Sequence, residues 1–220
     1  MSRAFSVDAI VLAMYNVGEA DRFCVLFTRE RGRIAARAAG ARRPGSHIGG
    51  NLLPFRRVTA DIREWSNGYI VSGAKRHPDS AFFSALDDVL YASEIVEVLL
   101  LLVHDEEPLE EIFDCIAESL AHPASSTLPT IVRILHVLGL FPATEDPLFS
   151  GLPPEERGVI ASWIAGTTRS VLSAEGMHCV QSVCDAIVVE HASRRRNVPD
   201  IATTLIMRTS PVPAAVRGCR

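Results

Sequence analysis

Residues 23–38 read FCVLFTRERGRIAARA, and this stretch decides how the first third of the chain folds. Phe23 to Thr28 is a β-favouring apolar run. Arg29-Glu30-Arg31-Gly32 interrupts it and puts glycine where a hairpin turn needs a left-handed backbone. Arg33 to Ala38 then resumes as a strand, so the stretch predicts an antiparallel hairpin. On its N-terminal side, Ala4 to Val17 is a long run rich in Val, Ile and Ala that ends at the turn signal Asn16-Val17-Gly18. On its C-terminal side, Gly40 to Pro54 is a glycine- and proline-rich loop. Val58 to Trp65 alternates, with Val58, Ala60, Ile62 and Glu64 on one face and Thr59, Asp61, Arg63 and Trp65 on the other. Ser66-Asn67-Gly68 is a strong hairpin turn leading into a fifth strand, Tyr69 to Lys75. Five short strands with a long excursion between the third and fourth match an OB-fold, a Greek-key barrel that binds single-stranded nucleic acid. An SH3-like barrel would leave a similar trace.

Beyond His77-Pro78 the apolar period changes. Phe82, Leu86, Val89, Leu90, Val96, Leu100 and Val103 fall at helical spacing, with Asp79 or Ser80 placed to cap the helix. The acidic break His104 to Pro108 reads as a solvated helix end. Leu109 to Leu120 is a second helix with Ile112, Phe113, Ile116 and Leu120 on one face. Ala121 to Leu128 reads as a loop, and Pro129 as the first turn of a third helix ended by Gly139. Phe141 to Pro154 is loop-like, and Glu155 to Ala165 and Val180 to Arg195 are helical. The expected class is therefore α+β, an N-terminal OB-fold β-barrel followed by a mostly α-helical domain. The divisions fall at residues 1–80, 81–208 and a frayed tail, 209–220.

The chain has 220 residues, 48% of them hydrophobic, enough for a real core. Its net charge of −4 hides an asymmetry. Residues 1–80 hold thirteen Lys and Arg against seven Asp and Glu, a balance of +6, which leaves −10 for the remainder. Such clustering points to a polyanionic partner for the basic part. Lys75 is the single lysine, and arginine's planar fork suits phosphate. Arg29, Arg31 and Arg33 flank the hairpin turn, Arg37 follows, Arg42 and Arg43 open the glycine-rich loop, and Arg56 and Arg57 begin the fourth strand with Arg63 further along. The set Arg33, Arg37, Arg42, Arg43, Arg56 and Arg57 is the DNA-contact candidate. On charge alone, a solvated basic face explains it equally well. Phe55, Trp65 and Tyr69 are the stacking candidates, with Phe55 assigned to the barrel core. Arg194-Arg195-Arg196 forms a second basic cluster, read as favourable charge at a helix C-terminus.

Motifs for catalysis and cofactors are missing. There is no phosphate loop and no His-Glu-x-x-His, and Gly45-Ser46-His47-Ile48-Gly49 places its serine one position early for a nucleophile elbow. No catalytic residue, metal ligand or cofactor is assigned. Five scattered cysteines do not make a disulfide framework, and Cys24 and Cys115 read as core residues. Cys179 and Cys184 lack the second pair of a structural zinc site and read as buried thiols. No signal peptide is expected, and the longest apolar run, Val98 to Val103, is far too short to span a membrane. The cytoplasm is the expected compartment.

Four segments then occur in order: Gly18-Glu19-Ala20-Asp21-Arg22, Leu26 to Gly32, Gly40-Ala41-Arg42-Arg43-Pro44, and Gly49-Gly50-Asn51-Leu52-Leu53-Pro54-Phe55. Together they resemble the N-terminal domain of the RecO family of bacterial recombination mediators and DNA-repair proteins. Leu86 to Leu102 and Leu138-Gly139-Leu140-Phe141-Pro142 resemble that family's helical domain. The resemblance implies binding of single- and double-stranded DNA, annealing of complementary strands without ATP, and help in loading recombinase onto DNA coated by single-strand-binding protein. It implies RecR and the acidic C-terminal tail of single-strand-binding protein as partners, at the nucleoid. Arg37, Arg42 and Arg43 carry over as DNA contacts, and Asp21 and Arg22 as a pair holding the barrel loop. Many members carry a cysteine-rich zinc module after the segment matching Leu138 to Pro142, whereas Ala143 to Ile160 has no cysteine. The rival reading is a protein-interaction adaptor that works through the acidic helical domain.

Overall fold

The computed structural model describes residues 3–65, 68–80, 83, 85–167 and 170–195. Five strands form a closed barrel: β1 (Ala4–Val17), β2 (Asp21–Thr28), β3 (Gly32–Ala38), β4 (Arg57–Trp65) and β5 (Gly68–Arg76), in the order β1-β2-β3-β5-β4. β1 closes the barrel because it is long enough to pair twice. Its first half lies antiparallel to β4 and its second half antiparallel to β2, with a bulge between Val11 and Ala13. β3 and β5 pair in parallel, through Ala36–Tyr69 and Arg37–Ile70. This is the OB-fold order, so the SH3-like alternative falls away. Ser66 and Asn67 lie outside the described residues, but β4 and β5 pair antiparallel from Val58–Arg76 to Trp65–Gly68 as a hairpin would.

Period-2 alternation sorts the barrel's side chains. Val7, Ala9, Val11, Cys24, Leu26, Ile34, Val58, Ala60, Ile62 and Val71 point inward and are buried, and Leu52 from the β3–β4 loop completes this core. The opposite face of β1 and β2 presents Ile10, Leu12 and Phe27, which join a second core made by the helices. Phe27 meets Phe113 with ring centroids 6.0 Å apart. The barrel and the helical body are therefore welded by buried apolar surface.

Among the described residues five α-helices follow: α1 (Leu86–Leu102), α2 (Glu110–Ser119), α3 (Pro123–Val137), α4 (Pro154–Ile164) and α5 (Ala174–Arg195). α3 is central, packed against the other four. Several expectations need correction. Neither Asp79 nor Ser80 caps α1, which begins at Leu86 after an uncapped Ala85. Ser80 is buried instead and finishes the barrel: its hydroxyl accepts from the Arg57 N–H and its carbonyl from the Arg76 guanidinium. Phe82 lies outside the described residues. Leu86 is 73% exposed and Leu90 is exposed too, while Ala92, Ile95, Val96, Leu99 and Leu102 are buried. Val98 to Val103 is an unbroken apolar run, so its period could not pick the face that the neighbouring helices cover.

α3 begins six residues earlier than expected, at Pro123, with Pro129 inside it. Both prolines fit a first helical turn, but Ser126 settles the choice. Its hydroxyl donates to the carbonyl of Ser119 or His122 and lies 2.8 Å from the Ser119 hydroxyl, binding the α2–α3 corner. Gly139, at φ +69°, ends the helix as expected, and its N–H donates to the His136 carbonyl. α5 also begins six residues early, because Ser173 caps it by accepting from the Gly176 N–H at 3.1 Å. Cys24, Cys115 and Cys184 are buried, whereas Cys179 is half-buried. Burial pushes the Cys24 thiol up to about 11 and the Cys184 thiol up to about 12, so neither is a ready nucleophile. Residues 209–220 lie outside the described residues, as do the side chains of the Arg194-Arg195-Arg196 cluster.

The acidic break is not simply a solvated helix end. Residues 105–107 run beside the half of β3 that β5 does not reach, with Arg33 and Asp105 forming an isolated parallel bridge. The Glu106 N–H donates to the Arg33 carbonyl at 2.9 Å. Asp105 accepts from the Arg33 guanidinium at 2.6 Å, and Glu106 from the Tyr69 hydroxyl at 2.9 Å. Gly32 permits this approach. A Cβ there would stand 1.9 Å from the Glu107 carbonyl oxygen, and its φ is +65°. Gly32→Ala is therefore expected to destabilise the protein by about 2 kcal/mol or more, from the left-handed backbone and the steric clash together. Equilibrium denaturation checks this, and a loss below about 0.5 kcal/mol contradicts the close packing described.

A candidate nucleic-acid interface at the loop end of the barrel

The β3–β4 loop is built rather than slack. Leu52 and Ala41 are buried in the barrel core. Gly49 nests against the Ala41 carbonyl, where a Cβ would stand 1.8 Å away. Asn51 donates to the carbonyls of Ala74 (2.8 Å) and His47 (3.1 Å). The Arg42 N–H donates to the Ala20 carbonyl at 2.9 Å, which ties the loop to the β1–β2 turn.

Asp21 and Arg22 both hold this loop, but not as a pair with each other. Asp21 Oδ1 accepts from the Gly40 N–H at 2.7 Å, and Oδ2 accepts from Arg37 Nε at 2.9 Å. Arg22 donates to the Gly49 carbonyl at 3.0 Å. Arg42 donates to the Gly18 carbonyl at 2.9 Å and Arg56 to the Gly50 carbonyl at 3.0 Å. Three guanidiniums are thus fixed by neutral carbonyls, which orient the cation without cancelling its charge. Arg22, Arg42, Arg43 and Arg56 have no carboxylate within ion-pair distance among the described residues.

The six sequence-predicted contacts therefore separate. Arg42, Arg43 and Arg56 belong to the loop end, and Arg37 lies beside it at the end of β3, its side chain 61% exposed although paired with Asp21. Arg33 and Arg57 are placed elsewhere. Arg33 is 18% exposed and bonded to Asp105 and the Leu100 carbonyl. Arg57 is 21% exposed, gripped by Asp8 at 3.0 Å and standing over the Phe113 ring. Both join the barrel to neighbouring structure. Arg29 is likewise engaged, by Asp114 and Glu110.

The aromatic candidates separate as well. Phe55 does not fill the barrel. Its φ is +66° and its N–H donates to the Val11 carbonyl at 2.7 Å, which turns the ring out against Phe83 and the helical core. Leu52 takes the interior place. Tyr69 lies edge-on to Phe5 at 6.2 Å with its hydroxyl on Glu106, and Trp65 is exposed near the end of the β4–β5 hairpin. Phe23 was missed: it is 37% exposed, directly across the strand from Arg37. The signal was its place in the alternation with Cys24 and Leu26, which puts it on the outer face.

Among the described residues no group of three or more His, Cys, Asp or Glu could hold a metal ion, and no helix is long and apolar enough to cross a membrane.

The geometry defines the class: a five-stranded OB-fold barrel fused to a helical body, with uncompensated arginines at one end of the barrel. Residues 1–74 match the family described as Recombination protein O N terminal. The DNA repair protein RecO of Myxococcus xanthus is 33% identical over 163 residues, covering 68% of this chain and 65% of the relative. That of Anaeromyxobacter dehalogenans is 31% identical over 159 residues, 68% of this chain and 63% of the relative. That of a Nocardioides species is 47% identical over 60 residues, 27% and 25% of the two chains. The barrel is a RecO-family N-terminal domain, and the similarity to RecO proteins continues into the helices. The matched part is less than two thirds of the first relatives' own length.

Asp21 gives the loop a pH signature. The Gly40 N–H, and then the Arg37 guanidinium, hold its carboxyl below the usual carboxylate range. A carboxylate depressed in the folded state stabilises above its unfolded pKa of about 3.9, and that contribution disappears as pH falls through the folded value. Asp21→Asn should therefore flatten the acid limb of a plot of Tm against pH below about pH 4. An acid limb identical to that of the parent protein contradicts the assignment.

Proposed function

We propose that this chain is a DNA-repair and recombination mediator that binds single- and double-stranded DNA through the loop end of its barrel. It anneals complementary strands and helps load a recombinase onto DNA coated by single-strand-binding protein. The carrying observation is the cluster of arginines without carboxylate partners, Arg22, Arg42, Arg43 and Arg56, of which Arg22, Arg42 and Arg56 are fixed by carbonyls. Phosphate binding needs fixed, uncompensated cations, and their contact with DNA releases counterions. Arg42, Arg43 and Arg56 are the principal phosphate contacts, with Arg37 beside them. Annealing follows from electrostatics alone: cations shared between two strands reduce the repulsion that opposes pairing. No covalent step is required, so the proposed role is non-enzymatic.

The relatives' printed names, DNA repair protein RecO, support this role. We assign residues 1–80 to DNA and residues 81–208 to partners, namely RecR and the acidic C-terminal tail of single-strand-binding protein. The work is done in the cytoplasm, at the nucleoid.

The double variant Arg42→Ala/Arg43→Ala should weaken binding similarly for all DNA sequences. It should also flatten the plot of log affinity against log salt by about 0.7 for each single-strand phosphate that is no longer neutralised. Fluorescence anisotropy of a labelled oligonucleotide over a range of salt measures this, and an unchanged slope removes these two arginines from the interface.

A further inference from the structure

The first half of α1 turns an apolar stripe toward solvent. Leu86, Leu90 and Tyr91 are all exposed. Residues four apart are neighbours on a helix surface, so the two leucines form one patch. Scattered exposed apolar residues are ordinary, whereas a contiguous patch marks an interaction surface. α5 packs against α1, and its Val189 is exposed as well.

The stripe continues as carboxylates. Glu94 and Glu97 follow Leu90 at helical spacing, and both are exposed. α1 carries Asp87, Asp88, Glu94 and Glu97 and no lysine or arginine. Desolvation, and then Asp185 of α5 and Glu97, push the Glu94 carboxyl above its usual range. Among the described residues no cation stands within ion-pair distance of Asp87, Asp88, Glu94, Glu97 or Asp185. Such a face repels nucleic acid and suits a partner that is both apolar and basic.

The chain itself carries a segment of that kind. Residues 196–220 follow α5 and hold Arg196, Arg208, Arg217 and Arg220 against Asp200, a balance of +3. Ile201-Ala202-Thr203-Thr204-Leu205-Ile206-Met207 supplies four large apolar side chains in seven residues, with Arg208 next. The segment also reaches. Asp185 is beside Glu94, and helical rise sets Arg195 about 15 Å from Asp185 and Leu86 about 12 Å from Glu94. Whichever way the two helices run, Leu86 is within about 30 Å of Arg195, a span that about ten extended residues cover.

We propose that residues 201–208 dock on the α1–α5 face, with their apolar side chains on Leu86, Leu90 and Val189 and with Arg208 among the carboxylates of Glu94, Glu97 and Asp185. The tether makes weak contacts sufficient, because a short linker holds the segment at an effective concentration of about millimolar. The contact is independent of the barrel's arginine loop. A second basic protein would reach this face only by displacing the segment.

Hydrogen–deuterium exchange of the full chain, read by mass spectrometry, tests this. In the parent, the amides of residues 201–207 should exchange at least about tenfold more slowly than those of an unstructured peptide of the same sequence. Leu86→Asp/Leu90→Asp changes two side chains that face solvent, and Glu94→Lys/Glu97→Lys reverses two exposed charges. A thermal melt followed by circular dichroism checks that each variant folds. Each should return residues 201–207 to the unstructured rate. Exchange at that rate in the parent overturns the proposal, and so does protection that survives in both variants. Protection that is lost when the parent is diluted puts another copy's segment on the face and overturns the intramolecular contact.

Discussion

The molecule depends on how one exposed strand edge is covered. β5 reaches only Ala36 and Arg37 of β3, which leaves the first half of that strand open. An open edge invites pairing with another chain. The acidic segment after α1 closes it, with a backbone bond from Glu106 to Arg33 and a carboxylate from Asp105 on the same residue. Gly32 is required because no side chain fits under Glu107. Once this segment is seated, α2 follows at once, and Phe113 meets Phe27 on the barrel's outer face. The position of the helical body follows from that junction.

The same junction sorts the charges. Arg29 and Arg33 meet carboxylates from the helical body, and Arg57 meets Asp8 within the barrel. The exposed pairs of Arg29 contribute little stability individually. Their larger effect is on the map of potential, since they neutralise the barrel on the side facing the helices. At the other end Arg22, Arg42 and Arg56 are held by carbonyls and keep their charge. A chain of net charge −4 thus presents a positive end.

The strands were legible because their alternation and turn residues act locally. Val58, Ala60 and Ile62 point inward as read, and Gly32 takes the left-handed turn position. The helices were legible in number and less so at their starts. Pro123 and Pro129 satisfy the same local rule, and a contact from Ser126 to another helix decides between them. Phe55 was misplaced because a positive φ, invisible in its residue type, turns it outward. The basic cluster was legible as composition. Its division into junction and interface was not, because the carboxylates that engage Arg29 and Arg33 lie about 70 residues or more away in sequence. Phe23 was legible in its alternation but was overshadowed by aromatic residues beside turns.

The most direct test of the account is the rate at which the protein anneals two complementary labelled oligonucleotides, with chelator present and no ATP, as salt is raised. The account predicts fast annealing at low salt that fades as salt increases, because fixed arginines and counterion release drive it. Absence of both binding and annealing at low salt would contradict it, and the uncompensated arginines at the loop end would then be only a solvated basic face.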